Sequence, residues 1–321
     1  MEDPQQRSVG ARIAVALRSG FKAAFGTIFF LLRIVLPVTL AVALLDWFGV
    51  LSWIARLMSP AMGLVGLPGE AALVFISSVF LNIYSAIAVA FSMSLDMRAA
   101  TILAIMCLTA HNLIVETAVM KKTGSASSKM VILRIGMAFV AAYAFNLLLP
   151  AALSALPFSK AGSGIRPTFP KMLASWGIST AILALKIVLI VLGVMIVQRL
   201  LEEFKAMAFL SRLFSPIMKL FGLPREASFL WIVINVVGYA YGAGIVQEQV
   251  HAGRMKPQEA DLFNHHAAIC HSLLEDTTLF LVVGIPFLWI TLPRLILAFL
   301  AVWLERARRR FLRRTFRVGT A

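Results

Sequence analysis

The chain has 321 residues, 60% of them hydrophobic and only 14% charged, with a mean hydropathy of +0.88. No water-soluble globular domain of this size carries that balance, so the chain reads as an all-α polytopic membrane protein. Its net charge of +15 is gathered toward the two ends, which suits termini held on the cytoplasmic side against anionic lipid headgroups and requires no nucleic acid.

Residues 1–23 form a basic amphipathic segment with Arg7, Arg12, Arg18 and Lys22, without the short apolar core and small-residue cleavage site of a secretory signal. The first span is then its own insertion signal. Apolar runs of roughly 20 residues, the length needed to cross a bilayer, lie at 24–50, 70–92, 128–150, 173–198, 226–247 and 279–303. Two further runs, 99–120 and 262–280, are less clean because each holds a His and an acid. The Pro-, Gly- and Ser-rich stretch Pro157 to Pro170 reads as a linker. Arginines from Arg306 to Arg317 crowd the C-terminal end. Cys107 and Cys270 lie inside apolar segments, so neither a disulfide framework nor a redox compartment follows from them.

The chain repeats itself. Arg56 to Ala71 returns as Arg212 to Ala227 with eleven of sixteen positions identical. Arg33 matches Lys186, Arg134 matches Arg294, and His111-Asn112-Leu113-Ile114-Val115-Glu116-Thr117 matches His271-Ser272-Leu273-Leu274-Glu275-Asp276-Thr277. The predicted organisation is the N-terminal segment 1–23, a membrane repeat over 24–156, a linker over 157–171, a second membrane repeat over 172–304 and an arginine-rich cytoplasmic tail over 305–321. Each half leaves polar groups in lipid that the other must satisfy, so the repeats make one domain.

The basic residues argue for inverted repeats. Between the first span and the next, residues 51–69 carry Arg56 alone, whereas the counterpart 199–225 carries Arg199, Lys205, Arg212, Lys219 and Arg225. Parallel copies would place both stretches on one side against the positive-inside bias, while inverted copies place the rich one inside. Inversion needs an odd number of crossings per repeat. The expectation is therefore that the His-containing segments, 99–120 and 262–284, each enter and leave on one side as re-entrant hairpins.

Gly66-Leu67-Pro68-Gly69-Glu70 and Gly222-Leu223-Pro224-Arg225-Glu226 read as helix starts, with Pro at the first helical position and Glu in the first turn. The helices after them are interrupted. The first carries Ser77, Ser78, Asn82, Tyr84 and Ser85, and the second runs from Asn235 through three glycines and two tyrosines to Gly244. Such stretches either allow close helix packing or present unwound backbone, with Asn82 and Asn235, to a substrate at mid-membrane.

The strongest candidate site is His111, Asn112, Glu116 and Thr117 with His271, Ser272, Glu275, Asp276 and Thr277. A charge in hydrocarbon costs at least ~2.5 kcal/mol, so the acids need partners or a wet cavity, with Arg33, Lys186, Arg134 and Arg294 available as counter-charges. A helical His271 would share a face with Glu275, and His265, His266 and Cys270 would lie within two turns. Imidazole, thiol and carboxylate together suit a divalent cation such as Fe²⁺ or Zn²⁺, on His271, Cys270, Glu275, His111 and Glu116. Amide, hydroxyl and carboxylate groups suit a nucleoside-like solute equally well, and the histidines could carry coupling protons. There is no His-Glu-x-x-His and no Gly-x-x-x-x-Gly-Lys-[Ser/Thr] loop, and no nucleophile stands out, so an enzyme is not expected.

At the repeated Ser-Pro, Gly-Leu-Pro-x-Glu-Ala and His-Asn/Ser-Leu-x-x-Glu/Asp-Thr elements the chain resembles membrane proteins of the Gate, or "nucleoside recognition", family. That family includes spore maturation proteins A and B, the gating segments of the ferrous-iron transporter B family and part of the concentrative nucleoside transporters. The resemblance covers nearly the whole chain as two Gate-like units. It implies a helical transporter or permease of the bacterial inner membrane, moving a small polar solute or divalent cation, alone, as a homo-oligomer or with a second membrane protein. Its alternative is a non-transporting scaffold with a spore-maturation-like role. The Gly-x-Lys-x-x-x-Asn-Glu signature of the nucleoside transporters and the GTPase of the iron transporters are both absent from the sequence.

Overall fold

A computed structural model describes residues 8–159, 168–251, 253 and 255–318, so most of the expected linker lies outside the described residues. The described residues are helical nearly throughout, and in them each half runs through seven α-helices in the same order. The first half holds α1 (Val9–Trp47), α2 (Val50–Gly63), α3 (Ala71–Phe80), α4 (Ile83–Phe91), α5 (Met97–Ala110), α6 (Leu113–Lys122) and α7 (Ser127–Leu148). The second holds α8 (Phe169–Glu203), α9 (Ala206–Leu220), α10 (Ala227–Val236), α11 (Tyr239–His251), α12 (Pro257–Ala267), α13 (Leu273–Val282) and α14 (Phe287–Val318). The basic N-terminal residues from Val9 onward continue directly into the first span, and the helix of the last span runs on into the arginine-rich end. A short antiparallel pair, β1 (Leu95–Asp96) and β2 (Pro157–Ser159), closes the end of the first half.

The duplication is written in the backbone as well as the side chains. Left-handed residues fall at matched positions in the two halves: Gly49 with Lys205, Gly66 with Gly222, Asn112 with Ser272, and Gly124 with Gly284. Each pair marks the same joint between the same two helices. At the joint before α3, Gly69 passes so close to α2 that a Cβ would overlap the Ala55 carbonyl oxygen. The Gly-Leu-Pro-x-Glu motif makes a turn before the helix rather than its first turn, since Ala71 N–H bonds the Pro68 carbonyl at 3.0 Å and α3 begins at Ala71 with Glu70 at the N-cap.

Equivalent helices run in opposite directions, as inverted repeats require. Near the start of α1, Arg12 pairs with Glu203 at the end of α8 at 3.1 Å, and near the end of α1 the Thr39 hydroxyl accepts from Trp176, close to the start of α8, at 3.1 Å. The α7–α14 pair is also antiparallel: Phe145 meets Trp289, whereas Lys129 meets Glu305.

Among the described residues, Met97–Lys122, Ser127–Leu148, Phe169–Glu203 and Phe287–Leu312 are each long and apolar enough to cross a membrane. The first of these corrects an expectation. Residues 99–120 do not form a re-entrant hairpin but a span-length helix broken at His111–Asn112. The folded-back pairs are the preceding ones. Helices α3 and α10 have 10 residues each, about 15 Å, or half the hydrocarbon thickness. Each packs on the helix that follows it, and Gly242 of α11 lies so tightly on Ile234 of α10 that a Cβ would overlap its side chain. At the turn of the first pair, Asn82 Oδ1 accepts the Ser85 N–H at 2.9 Å and starts α4. In the second, Gly238 (φ 102) turns the chain.

Helix α5 is the innermost element, with every residue from Ala99 to Ala110 buried. Large apolar side chains on α1, α8 and α14, such as Phe25, Phe29, Leu185 and Leu288, point outward, as lipid-facing residues do.

Candidate functional site

Helix α5 stops at Ala110 because His111 is extended (φ −62, ψ 156) and Asn112 is left-handed (φ 49) before α6 begins. In the second half α12 ends at Ala267 and Ser272 (φ 50) precedes α13. A left-handed residue with a side chain costs roughly 1–2 kcal/mol, and here each freed backbone N–H finds a partner. Asn112 N–H donates to the Ser78 carbonyl of α3 at 2.8 Å, and Ser272 N–H to the Ile234 carbonyl of α10 at 2.9 Å. The half-length hairpins therefore brace the breaks.

The breaks bring the two histidines face to face, with ring centroids 5.0 Å apart. Each ring is fixed from behind: His111 Nδ1 lies 3.2 Å from the Cys107 carbonyl and His271 Nδ1 2.7 Å from the Ala267 carbonyl. A carbonyl only accepts, so each Nδ1 carries the proton and each Nε2 faces the centre. His111 Nε2 lies 3.4 Å from Glu116 Oε1 and 3.7 Å from Asp276 Oδ2, and His271 Nε2 lies 3.2 Å from Glu116 Oε1.

An arginine from the last helix of each half stands behind each carboxylate. Arg134 Nη1 is 2.7 Å from Glu116 Oε2, while its Nε and Nη2 donate to the Thr109 and His111 carbonyls at 3.0 and 2.8 Å. Arg294 lies 3.6 Å from Asp276 Oδ2 and donates to the His271 carbonyl. Both arginines are wholly buried. The arrangement has near two-fold symmetry, and its second half is the looser one. Asp276 Oδ2, Thr117 Oγ1, Thr277 Oγ1, and Nε and Nη1 of Arg294 are buried without a hydrogen-bond partner. Unsatisfied buried polar atoms are rare in folded proteins, so their concentration here marks a place where a further polar species can be held.

Not every expected residue joins this centre. Glu275 turns away from His271 and accepts from the Tyr84 hydroxyl of α4; the left-handed Ser272 between His271 and α13 breaks the helical spacing that would have put them on one face. Asn112 and Ser272 act through their backbone. Asn82 is occupied as a helix cap, and Asn235 donates to the Trp231 carbonyl at 2.8 Å with its Oδ1 unpaired. Cys270 is buried but is not one of the converging donor groups. Arg33 is exposed and Lys186 sits over the Phe91 ring at 5.2 Å, so among the described residues the arginines that pair with the acids of the centre are Arg134 and Arg294. His266 accepts from Trp231 Nε1 at 2.7 Å.

Asn264 was invisible in the sequence pattern, where it is one amide beside Phe263 in a buried helix. Its side chain donates to Thr123 Oγ1 at 2.8 Å and Ser125 Oγ at 2.9 Å and accepts from Tyr239 at 2.9 Å, tying the α6–α7 turn of the first half to α11 and α12 of the second. A second group of acids with a histidine, Asp261, His265 and Glu305, is already filled by cations: Lys129 lies 3.2 Å from Asp261 and 2.9 Å from Glu305, and Arg308 and Arg309 bond Glu305.

The sequence has recognisable relatives among known proteins. Residues 28–127, most of the first half, match the family model described as Gate, nucleoside recognition. Over 270 residues the chain is 33% identical to YvoD, an uncharacterized membrane protein of Bacillus subtilis (strain 168), with 84% of this chain and 86% of that protein covered. No solved structure matches the chain.

Proposed function

The chain belongs to the Gate family of membrane proteins, and from that premise we propose that it is a transporter or permease of the bacterial inner membrane, with both termini cytoplasmic, whose cargo passes through the centre between its two halves. The cargo is a small polar solute or a divalent cation. The residues that meet it are His111, His271, Glu116 and Asp276, with Thr117 and Thr277 beside them and Arg134 and Arg294 as counter-charges.

One observation carries this reading: ionisable groups from both halves converge, buried, at the breaks of two inward-facing helices, and several of their polar atoms are left without partners. Discontinuous helices meeting at mid-membrane between inverted repeats are where transporters hold their cargo. Catalysis of a covalent reaction is not part of the proposal.

The competing reading is a scaffold in which the same cluster only locks the halves together. It is favoured by the way both arginines are tied to backbone carbonyls at the breaks. Uptake by purified protein in liposomes, measured for a panel of divalent cations and nucleosides, separates the two. Transport requires a cargo-dependent flux that disappears in the Asp276→Asn variant while the protein stays folded. A folded protein with no flux for any member of either class would favour the scaffold.

A further inference from the structure

The two histidines and Asp276 form more than a polar cluster: one donor atom from each can lie within 4.8 Å of the other two, and all three residues are buried. Three features make this a ligand set. Both imidazoles are locked with Nδ1–H on a backbone carbonyl, so both Nε2 atoms face the centre, His271 Nε2 within hydrogen-bond distance of Glu116 Oε1, and each presents a lone pair there in its neutral form. Asp276 Oδ2, 3.7 Å from His111 Nε2, has no hydrogen-bond donor. Glu116 Oε1 stands 3.2 and 3.4 Å from the two Nε2 atoms and offers a fourth donor. Lone pairs facing lone pairs repel one another unless a positive centre lies between them.

We propose that this site binds one borderline divalent transition-metal cation, of the Zn²⁺, Fe²⁺ or Co²⁺ type, on His111 Nε2, His271 Nε2 and Asp276 Oδ2. The inference rests on the transport reading only for the metal's role as cargo. Two imidazoles select against Mg²⁺ and Ca²⁺, which take oxygen donors. The second shell is already built, since each ligating ring donates its other nitrogen's proton to a carbonyl, the usual device for fixing a metal-binding histidine. Ligands at Zn–N distances of about 2.0–2.1 Å sit closer together than this group does now, so binding draws the halves inward. With neutral imidazoles the two guanidiniums cancel the two carboxylates, and the metal's charge is left without a net counter-charge.

The test uses the full-length protein in detergent, freed of any histidine tag, with Co²⁺ as probe. The expected result is one Co²⁺ per chain by elemental analysis and a visible d–d absorption band, displaced by Zn²⁺ but not by excess Mg²⁺. His111→Ala, His271→Ala and Asp276→Asn should each weaken binding at least ten-fold, while Cys270→Ala leaves it unchanged. Absence of the band in the wild-type protein overturns the proposal without reference to any variant. So does a band that survives in all three site variants, or one lost in Cys270→Ala. Uptake of Co²⁺ into liposomes is measured in parallel. Co²⁺ binding without Co²⁺ uptake supports the metal site and sinks its role as cargo; nucleoside uptake without Co²⁺ binding sinks the metal site and leaves transport standing.

Discussion

Arg134 is the residue whose removal should cost most. It is wholly buried, donates to the Thr109 and His111 carbonyls at 3.0 and 2.8 Å, and lies 2.7 Å from Glu116. In Arg134→Met the stranded carboxylate alone costs about 3–5 kcal/mol, and each carbonyl that loses its donor adds roughly 1 kcal/mol. The expected loss is on the order of 5 kcal/mol. Adding Glu116→Gln removes the stranded charge, so the double variant should be more stable than the sum of the singles by about 2–3 kcal/mol. The matching pair, Arg294 with Asp276, stands at 3.6 Å and should couple less strongly. Equilibrium unfolding in mixed micelles of the wild type, the singles and the doubles gives both cycles. An Arg134–Glu116 coupling within about 0.5 kcal/mol of zero, the scatter of independent sites, or one smaller than that of Arg294–Asp276, would refute the account of the centre.

The left-handed joints make a second prediction: Ser272→Gly (φ 50) should stabilise the fold, or at worst leave it unchanged, whereas the β-branched Ser272→Val should be less stable than the wild type, read from the same unfolding curves. Gly69→Ala drives a Cβ into the Ala55 carbonyl oxygen and should shift the α2–α3 joint enough to lose most folded protein on size-exclusion chromatography. Burial, reinforced by nearby Asp46, pushes the Glu70 carboxyl above its ordinary value. Its ionised form is thus disfavoured in the fold, so Glu70→Gln should raise the melting temperature at neutral pH. That gain should fade as the pH falls through the folded carboxyl's pKa and be gone below the unfolded one; a gain independent of pH would contradict the cause given.

The residues of the centre were legible because duplication preserved their types: His111 with His271, Glu116 with Asp276 and Arg134 with Arg294 stand out as ionisable residues at matched places in apolar sequence. What the pattern concealed was direction. Hydropathy scores a folded-back pair such as α3–α4 and a single crossing alike, so the sequence pattern points to a hairpin one segment too late. The spacing of His271 and Glu275 implies a shared face only if the helix is continuous, and a left-handed Ser272 carries no glycine to announce the break. Arg33 and Lys186 looked like counter-charges because they are charged and duplicated, yet only the packing reveals that neither reaches the acids.

The halves keep the same ionisable types at the centre but differ in chemistry at the two ends of the α7–α14 crossing. At one end Lys129 bonds Glu305 at 2.9 Å and Asp261 at 3.2 Å, and Arg309 bonds the same two acids. At the spacing that relates His111 to His271, the equivalents of Lys129, Glu305, Asp261 and Arg309 are Trp289, Phe145, Thr101 and Leu149. There Phe145 and Trp289 meet edge to face, with centroids 5.9 Å apart. At the ionic end Lys129 and Arg309 make four ion pairs, each contributing about 0–1 kcal/mol when partly exposed, and the aromatic end holds one pair contributing about 0.5–1.5 kcal/mol beyond its buried area. Their responses differ, because salt screens the ionic end and leaves the apolar one alone. A carrier that opens one end at a time needs its two closed states within a few kcal/mol of each other, so that modest differential binding can shift the population. On the transport proposal, ends of unlike chemistry let salt bias the two closed states differently, while the centre offers a His, an acid and an Arg from each half.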